Sequence, residues 1–221
     1  MNAPTPPAMR IKSRWFKASE GHAKSPAEQA SAMAFIVWRV AVNMVKRLRA
    51  AKFDVDAGTP YLGVVREAMV FLAAVADRIA YQRLPAEARA EFVVALVRHL
   101  ARHLQENADD LLGPPPPGAP GHAEAFVDLY NEVAGHYAEF GADPSAPVGE
   151  GDFVPDFAFR RYLGVRIEPT VPEADRRWVL DQVMAIEAPE AVDIVRRSMR
   201  ELLDPAPHAR HGGRRSTLSG D

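Results

Sequence analysis

The side chains with the clearest potential for chemistry are carboxylates spaced along one predicted helix. Glu124, Asp128 and Glu132 follow one another at intervals of four residues. A helix places them on one face, with Glu139 on the same side and His136 at the border with an aromatic stripe. We call these five residues the acidic face. Like charges at this spacing repel by roughly a few tenths of a kcal/mol per pair, so something must offset the repulsion.

Three arrangements would offset it. The first is internal, since the helix dipole supports the early acids and basic groups elsewhere in the chain can lie nearby. The second is a partner protein with a basic surface, because complementary potentials steer association and set specificity. The third is a metal ion bound by Asp128, Glu132 and His136, which offer two carboxylates and an imidazole. The internal basic groups in question are Arg39, Lys46 and Arg47 of the first predicted helix and Arg10, Lys12, Arg14 and Lys17 near the N-terminus.

The metal hypothesis lacks the pattern of the carboxylate-bridged helical bundles. Those bundles use a Glu-x-x-His motif on two of their helices, and the motif does not occur in this sequence. Glu67 could add a carboxylate from another helix, but the helical projection turns it toward Arg66 and Arg78 on a polar side. We therefore keep the metal site as an alternative only.

A second candidate metal pair is His99 and His103, four residues apart on one predicted helix. Such a pair could chelate a cation. The neighbouring Arg98 and Arg102 disfavour a second positive charge, so we interpret both histidines as residues at the border of the apolar face.

Charge is distributed unevenly along the 221 residues, although the net charge is only -2. Residues 1–102 carry a net charge of +8, while residues 103–159 contain no Lys or Arg and carry -11. A stretch of this length without a cation indicates a surface with a charge preference. We expect Asp143 and the following loop to extend the acidic face into one contact surface. The loop acids are Asp143, Glu150, Asp152 and Asp156.

Composition excludes several classes of protein. The chain has no Cys, so disulfides, thiol nucleophiles and thiolate metal sites are excluded. The longest apolar run, Ala68 to Ala76, is far shorter than the roughly 20 residues that span a bilayer. The N-terminal residues lack the apolar core of a secretory signal. We expect a cytoplasmic protein with no membrane insertion.

Helical signals dominate the sequence and position the acidic face. Ser25-Pro26-Ala27-Glu28 is a capping box with proline at the first helical position. Thr59-Pro60 repeats a cap followed by proline, Leu84-Pro85 breaks the second helix, and Gly164 is predicted to be a C-cap. The proline-rich spacer 113–121 is predicted to be extended. The predicted helices cover about 26–52, 60–83, 86–108, 122–140, 156–163, 172–187 and from about Pro189 to Leu203.

The two ends of the chain are expected to be flexible and basic. Residues 1–24 form an arm with Trp15 and Phe16 among its cations, and residues 205–221 form a disordered tail. Aromatic and basic side chains together could contact nucleic acid. Residues 26–204, however, carry a net charge of -8, which repels phosphates.

The sequence therefore predicts an all-α fold, with one bundle-like domain of six or seven helices over residues 25–204. We expect a non-enzymatic protein-binding factor, an adaptor, assembly factor or chaperone, that needs no cofactor. Its partner is a protein with a basic surface, bound by Glu124, Asp128, Glu132, His136, Glu139 and Asp143. The first alternative is a metal-dependent or small-molecule-binding bundle, and the second is a nucleic-acid-associated regulator acting through the basic arm.

Overall fold

A computed structural model describes residues 24–145 and 153–204. Within these ranges the chain is helical and forms no β-sheet, only an isolated bridge between Ala142 and Pro155. The predicted all-α, bundle-like fold is confirmed. The described part contains seven α-helices: α1 Pro26–Ala50, α2 Thr59–Arg83, α3 Ala86–Leu112, α4 His122–Glu139, α5 Phe157–Ile167, α6 Glu173–Gln182 and α7 Ala188–Leu203.

Local sequence signals explain where the first helices begin. The Ser25 hydroxyl accepts a hydrogen bond from the Glu28 N–H at 3.2 Å, and the Glu28 carboxylate accepts from the Ser25 N–H at 2.8 Å, which completes the capping box. Thr59 does not cap α2 as predicted, because it lies inside the helix. Gly58 holds the cap position with φ of 93°, a conformation that favours glycine.

Helix α2 is the centre of the bundle. Its residues from Ala68 to Ala76 are all buried, and it packs against α1, α3, α4, α5 and α7. A helix that is apolar on every side belongs in the interior, and the apolar run in the sequence reflects this position. One hydrophobic core joins buried side chains from all seven helices of the described part.

The proline-rich segment 113–121 connects α3 to α4 and contains neither helix nor strand. It is not extended throughout, contrary to the prediction, because a turn forms where the Ala119 N–H donates to the Pro116 carbonyl and Gly118 has a φ of 83°. The Gln105 side chain on α3 accepts a hydrogen bond from the Ala123 N–H at 2.8 Å. The connection therefore reverses the chain and lets α4 pack directly on α3.

Helix α5 ends later than the sequence predicts. Asp156 caps its start by accepting from the Phe159 N–H at 2.8 Å. Gly164 does not end the helix, which continues to Ile167. Instead Gly164 is buried where α5 meets α6, and a Cβ there would overlap the Leu180 side chain. The glycine leaves room for the Leu180 side chain of α6 rather than forming a cap.

The proline at 189 distorts its helix without ending it. A π-helical turn, Val183–Glu187, joins α6 to α7, and the Ala188 N–H donates to the Val183 carbonyl. Pro189 has no N–H, and its ring would clash with a carbonyl four residues earlier in a regular helix. The wider turn accommodates both effects. Glu187 in this turn is buried and pairs with Arg47 of α1 at 2.9 Å.

Other helix ends differ by a few residues from the predicted ones. α1 ends at Ala50 rather than about Lys52, and α3 extends to Leu112 rather than about 108. The helical pattern around Trp178 predicts a place in the core or at its edge, and this prediction is wrong, since 60% of Trp178 is exposed on α6. The arm and tail predictions, together with Glu150 and Asp152, lie outside the described residues. None of the described helices is long and apolar enough to cross a membrane.

Candidate functional site

Helix α4 has one buried aromatic side and one charged side, as its sequence predicts. Glu124, Asp128, Glu132, His136 and Glu139 are all exposed. The opposite side packs into the core through its aromatic and apolar residues Phe126, Tyr130, Val133 and Tyr137. The acidic face therefore points away from the bundle, which is the orientation that a binding surface requires.

The carboxylates of the acidic face have no ion-pair partner within the described part of the chain. No described Lys or Arg nitrogen lies within 4.0 Å of Glu124, Asp128, Glu132 or Glu139. The basic side of α1 does not neutralise the acidic face. Its Arg47 pairs instead with Glu187 and Glu190 of the α6–α7 region. The arm cations lie outside the described residues.

Asp143 belongs to the loop rather than to the exposed stripe. Its carboxylate accepts hydrogen bonds from the Ser145 hydroxyl and the Ser145 N–H, and it lies 3.9 Å from the Arg160 guanidinium. The pKa of Asp143 is lowered, first by the hydroxyl bond and then by the backbone bond. Asp143 thus acts as a turn-former with a nearby cation, unlike the four carboxylates of α4.

His136 connects the acidic face to α5. Its ring centroid lies 5.7 Å from that of Tyr162, with the two planes tilted by 48°. Tyr162 in turn packs edge-on against Tyr137, with the centroids 5.1 Å apart. The histidine is therefore an aromatic contact at the edge of the face, and α5 supports this end of α4.

The alternative metal site gains no geometric support. Among the residues that the structure describes, no three His, Cys, Asp or Glu side chains are arranged to hold a metal ion. His99 and His103 are half-buried at the edge of α3, where the ring of His103 lies 6.1 Å from that of Trp38. Burial is the main cause that lowers the pKa of both histidines.

One ion pair beneath the acidic face was missed by sequence reasoning. Glu67 is not on a polar side, as predicted, but is 3% exposed between α2 and α5. Arg166 donates to both of its carboxylate oxygens, at 2.9 and 3.0 Å. The hydrogen bond to Glu67 is the main cause that raises the pKa of Arg166, and Glu132 of the acidic face adds a small contribution. This pair fixes α5, on which the C-terminal end of α4 rests.

No family model matches the chain, and no curated protein or solved structure matches it. Its function is therefore inferred from the residues and contacts described above.

Proposed function

We propose that this protein is a non-enzymatic protein-binding factor, an adaptor, assembly factor or chaperone, whose acidic face binds a basic surface on its partner. The observation that supports the proposal is the exposure of Glu124, Asp128, Glu132 and Glu139 on one side of α4, with no described cation within 4.0 Å. No ion pair among the described residues offsets the repulsion between these carboxylates, and only Glu132 interacts with a described cation, Arg166, at longer range. A basic partner would relieve this repulsion.

The size of the face suits a protein partner. Glu124 and Glu139 are separated by fifteen residues, which corresponds to about 22 Å along a helix axis. A stable protein interface covers about 800 Å² on each partner, a patch about 30 Å across, so the face would form the central stripe of such an interface. The face is also supported from below, because α4 packs on α2 and α3 and its C-terminal end contacts α5. Such support fixes the helix backbone that carries the carboxylates before the partner arrives.

Electrostatics favours a basic protein over nucleic acid. The acidic face would repel phosphate groups, and residues 26–204 carry a net charge of -8. For a basic protein the same potential raises the rate of encounter and disfavours acidic competitors. We propose that the partner is found in the cytoplasm, which is the compartment that the sequence predicts.

The test is capture of partners from native lysate by the tagged full chain, beside the variant Asp128→Asn/Glu132→Gln/Glu139→Gln. Capture is measured at about 50 mM and about 300 mM salt, because the Debye length shortens over this range. We expect at least one protein with a basic surface that is held by the wild type at low salt and lost in the variant. Its affinity is then measured with the purified partner.

A matched variant controls for the change in net charge. Glu87→Gln/Asp181→Asn/Glu201→Gln removes three carboxylates that are exposed on α3, α6 and α7 and have no described ion-pair partner. It should retain the partner that the α4 variant loses. Equal capture by all three proteins, or equal loss from both variants, would rule out the acidic face as the binding surface.

A further inference from the structure

A cleft lies on the other side of α4 from the acidic face, where α4 meets α2 and α3. Its volume is about 410 Å³, within the range of small-molecule sites. The space exists because small side chains occupy positions where larger ones would fill it. These are Ala74, Ala134, Ala138 and Ala142.

An ion pair between Arg89 and Asp77 lines the cleft, and the Arg89 guanidinium has N–H donors that this pair does not use. Arg89 donates to the two carboxylate oxygens of Asp77 at 2.6 and 2.8 Å. A guanidinium has five N–H donors, so this contact leaves three of them for a bound acceptor. The two side chains are 35% and 21% exposed, respectively, so a ligand can reach them.

Aromatic side chains form the walls. Tyr81 is 68% exposed and its ring lies under the Arg89 guanidinium, 5.0 Å from the ring centroid. Tyr130 is nearly buried, and its hydroxyl makes no hydrogen bond to another described residue. The pKa of Tyr130 is raised, first by burial and then by Asp77. Its hydroxyl therefore stays protonated and is a donor.

The charges in the cleft sum to one positive charge. Arg78 also lines it and donates to the carbonyls of Ala138 and Phe140, at 3.2 and 3.1 Å, which anchors the guanidinium to the end of α4. With Arg89 it outweighs the single carboxylate, Asp77. A site with apolar and aromatic walls, free donors and one excess positive charge suits an aromatic monoanion.

We propose that this cleft binds a planar aromatic monocarboxylate. The ring packs on the alanines of α4 and against Tyr81, and the carboxylate accepts hydrogen bonds from Arg89 and the Tyr130 hydroxyl. This site is separate from the acidic face and does not depend on the function proposed above.

The test is calorimetric titration of the full chain with 2-naphthoate, 2-naphthalenemethanol and 2-naphthylmethylammonium, which share a ring system and differ in charge. We expect 2-naphthoate to bind with a Kd below about 1 mM and the neutral and cationic probes to bind at least about tenfold more weakly. Arg89→Lys should reduce the preference for the carboxylate, since Lys offers a point charge rather than a planar fork.

Two variants locate the binding. Ala138→Leu fills the cleft from a position that is exposed on α4, and Tyr81→Ala removes an exposed ring without disturbing the core. Each should weaken 2-naphthoate binding at least about tenfold. Ala158→Leu, an exposed alanine of α5 outside the cleft, should leave it unchanged. No binding of 2-naphthoate by the wild type, binding that both cleft variants retain, or no preference for the anion would overturn the proposal.

Discussion

Replacing Arg166 with Met should cost a large part of the protein's stability. The change leaves the Glu67 carboxylate, which is 3% exposed, without the two hydrogen bonds that it accepts at 2.9 and 3.0 Å. Removing one partner of a buried pair typically costs about 3–5 kcal/mol. We expect about 3 kcal/mol, the lower end, because the Arg66 guanidinium remains 3.4 Å from the same carboxylate.

The double variant Glu67→Met/Arg166→Met should recover most of this loss. It removes the buried charge together with its partner, and an apolar pair of similar size is often close to neutral in stability. We expect the free energy of unfolding to lie within about 1 kcal/mol of the wild type. Arg161→Met, at an exposed position of the same helix without a described ion pair, should change it by less than about 0.5 kcal/mol.

The assay is urea unfolding followed by far-ultraviolet circular dichroism at pH 7, with the slope m compared among the variants. An unchanged m shows that stability rather than the denatured state has changed. A cost below about 1 kcal/mol for Arg166→Met, or a double variant as unstable as the single one, would refute the argument that a buried carboxylate without its bidentate partner is the cause.

Three other predictions concern single sites elsewhere in the bundle. Gly135→Ala should stabilise by about 0.5–1 kcal/mol in urea unfolding, since an exposed helical glycine with open space gains helix propensity. Gly164→Val should destabilise by about 1–3 kcal/mol in the same assay, because even its Cβ would overlap Leu180. Burial holds the pKa values of His99 and His103 below their unfolded values. The unfolded state therefore binds protons first as pH falls below about 6.5, and stability should decrease there. In His99→Gln/His103→Gln the decrease between pH 7 and pH 5 should be smaller, and an unchanged decrease would contradict this.

Local signals predicted most of the fold because each acts within a few residues. The capping box at Ser25 and Glu28 and the break at Pro85 depend only on neighbouring backbone, and the structure has helix boundaries at both places. The outward direction of the acidic face also followed from helical periodicity alone. Its exposure is observed, while its partner stays a prediction.

The failures concern residues whose role depends on a distant segment. Gly164 fits a C-cap pattern, and only the approach of Leu180 from another helix gives it a different role. Glu67 pairs with Arg166, which lies 99 residues later in the sequence. Helical periodicity cannot predict a contact between side chains so far apart in the chain. One signal was present: Glu67 directly precedes the apolar run Ala68 to Ala76, all of which is buried.

The most direct test of the acidic face as a binding surface is a photocrosslink from its middle. Gly135 is exposed, a Cβ there would meet open space, and it lies three residues after Glu132 and four before Glu139. p-Benzoylphenylalanine at this position leaves every carboxylate of the face intact. On irradiation in cells it should crosslink to a defined protein with a basic surface, and the same residue at Ala158 on α5 should not. Absence of a crosslink from position 135, or the same products from both positions, would contradict the proposed function.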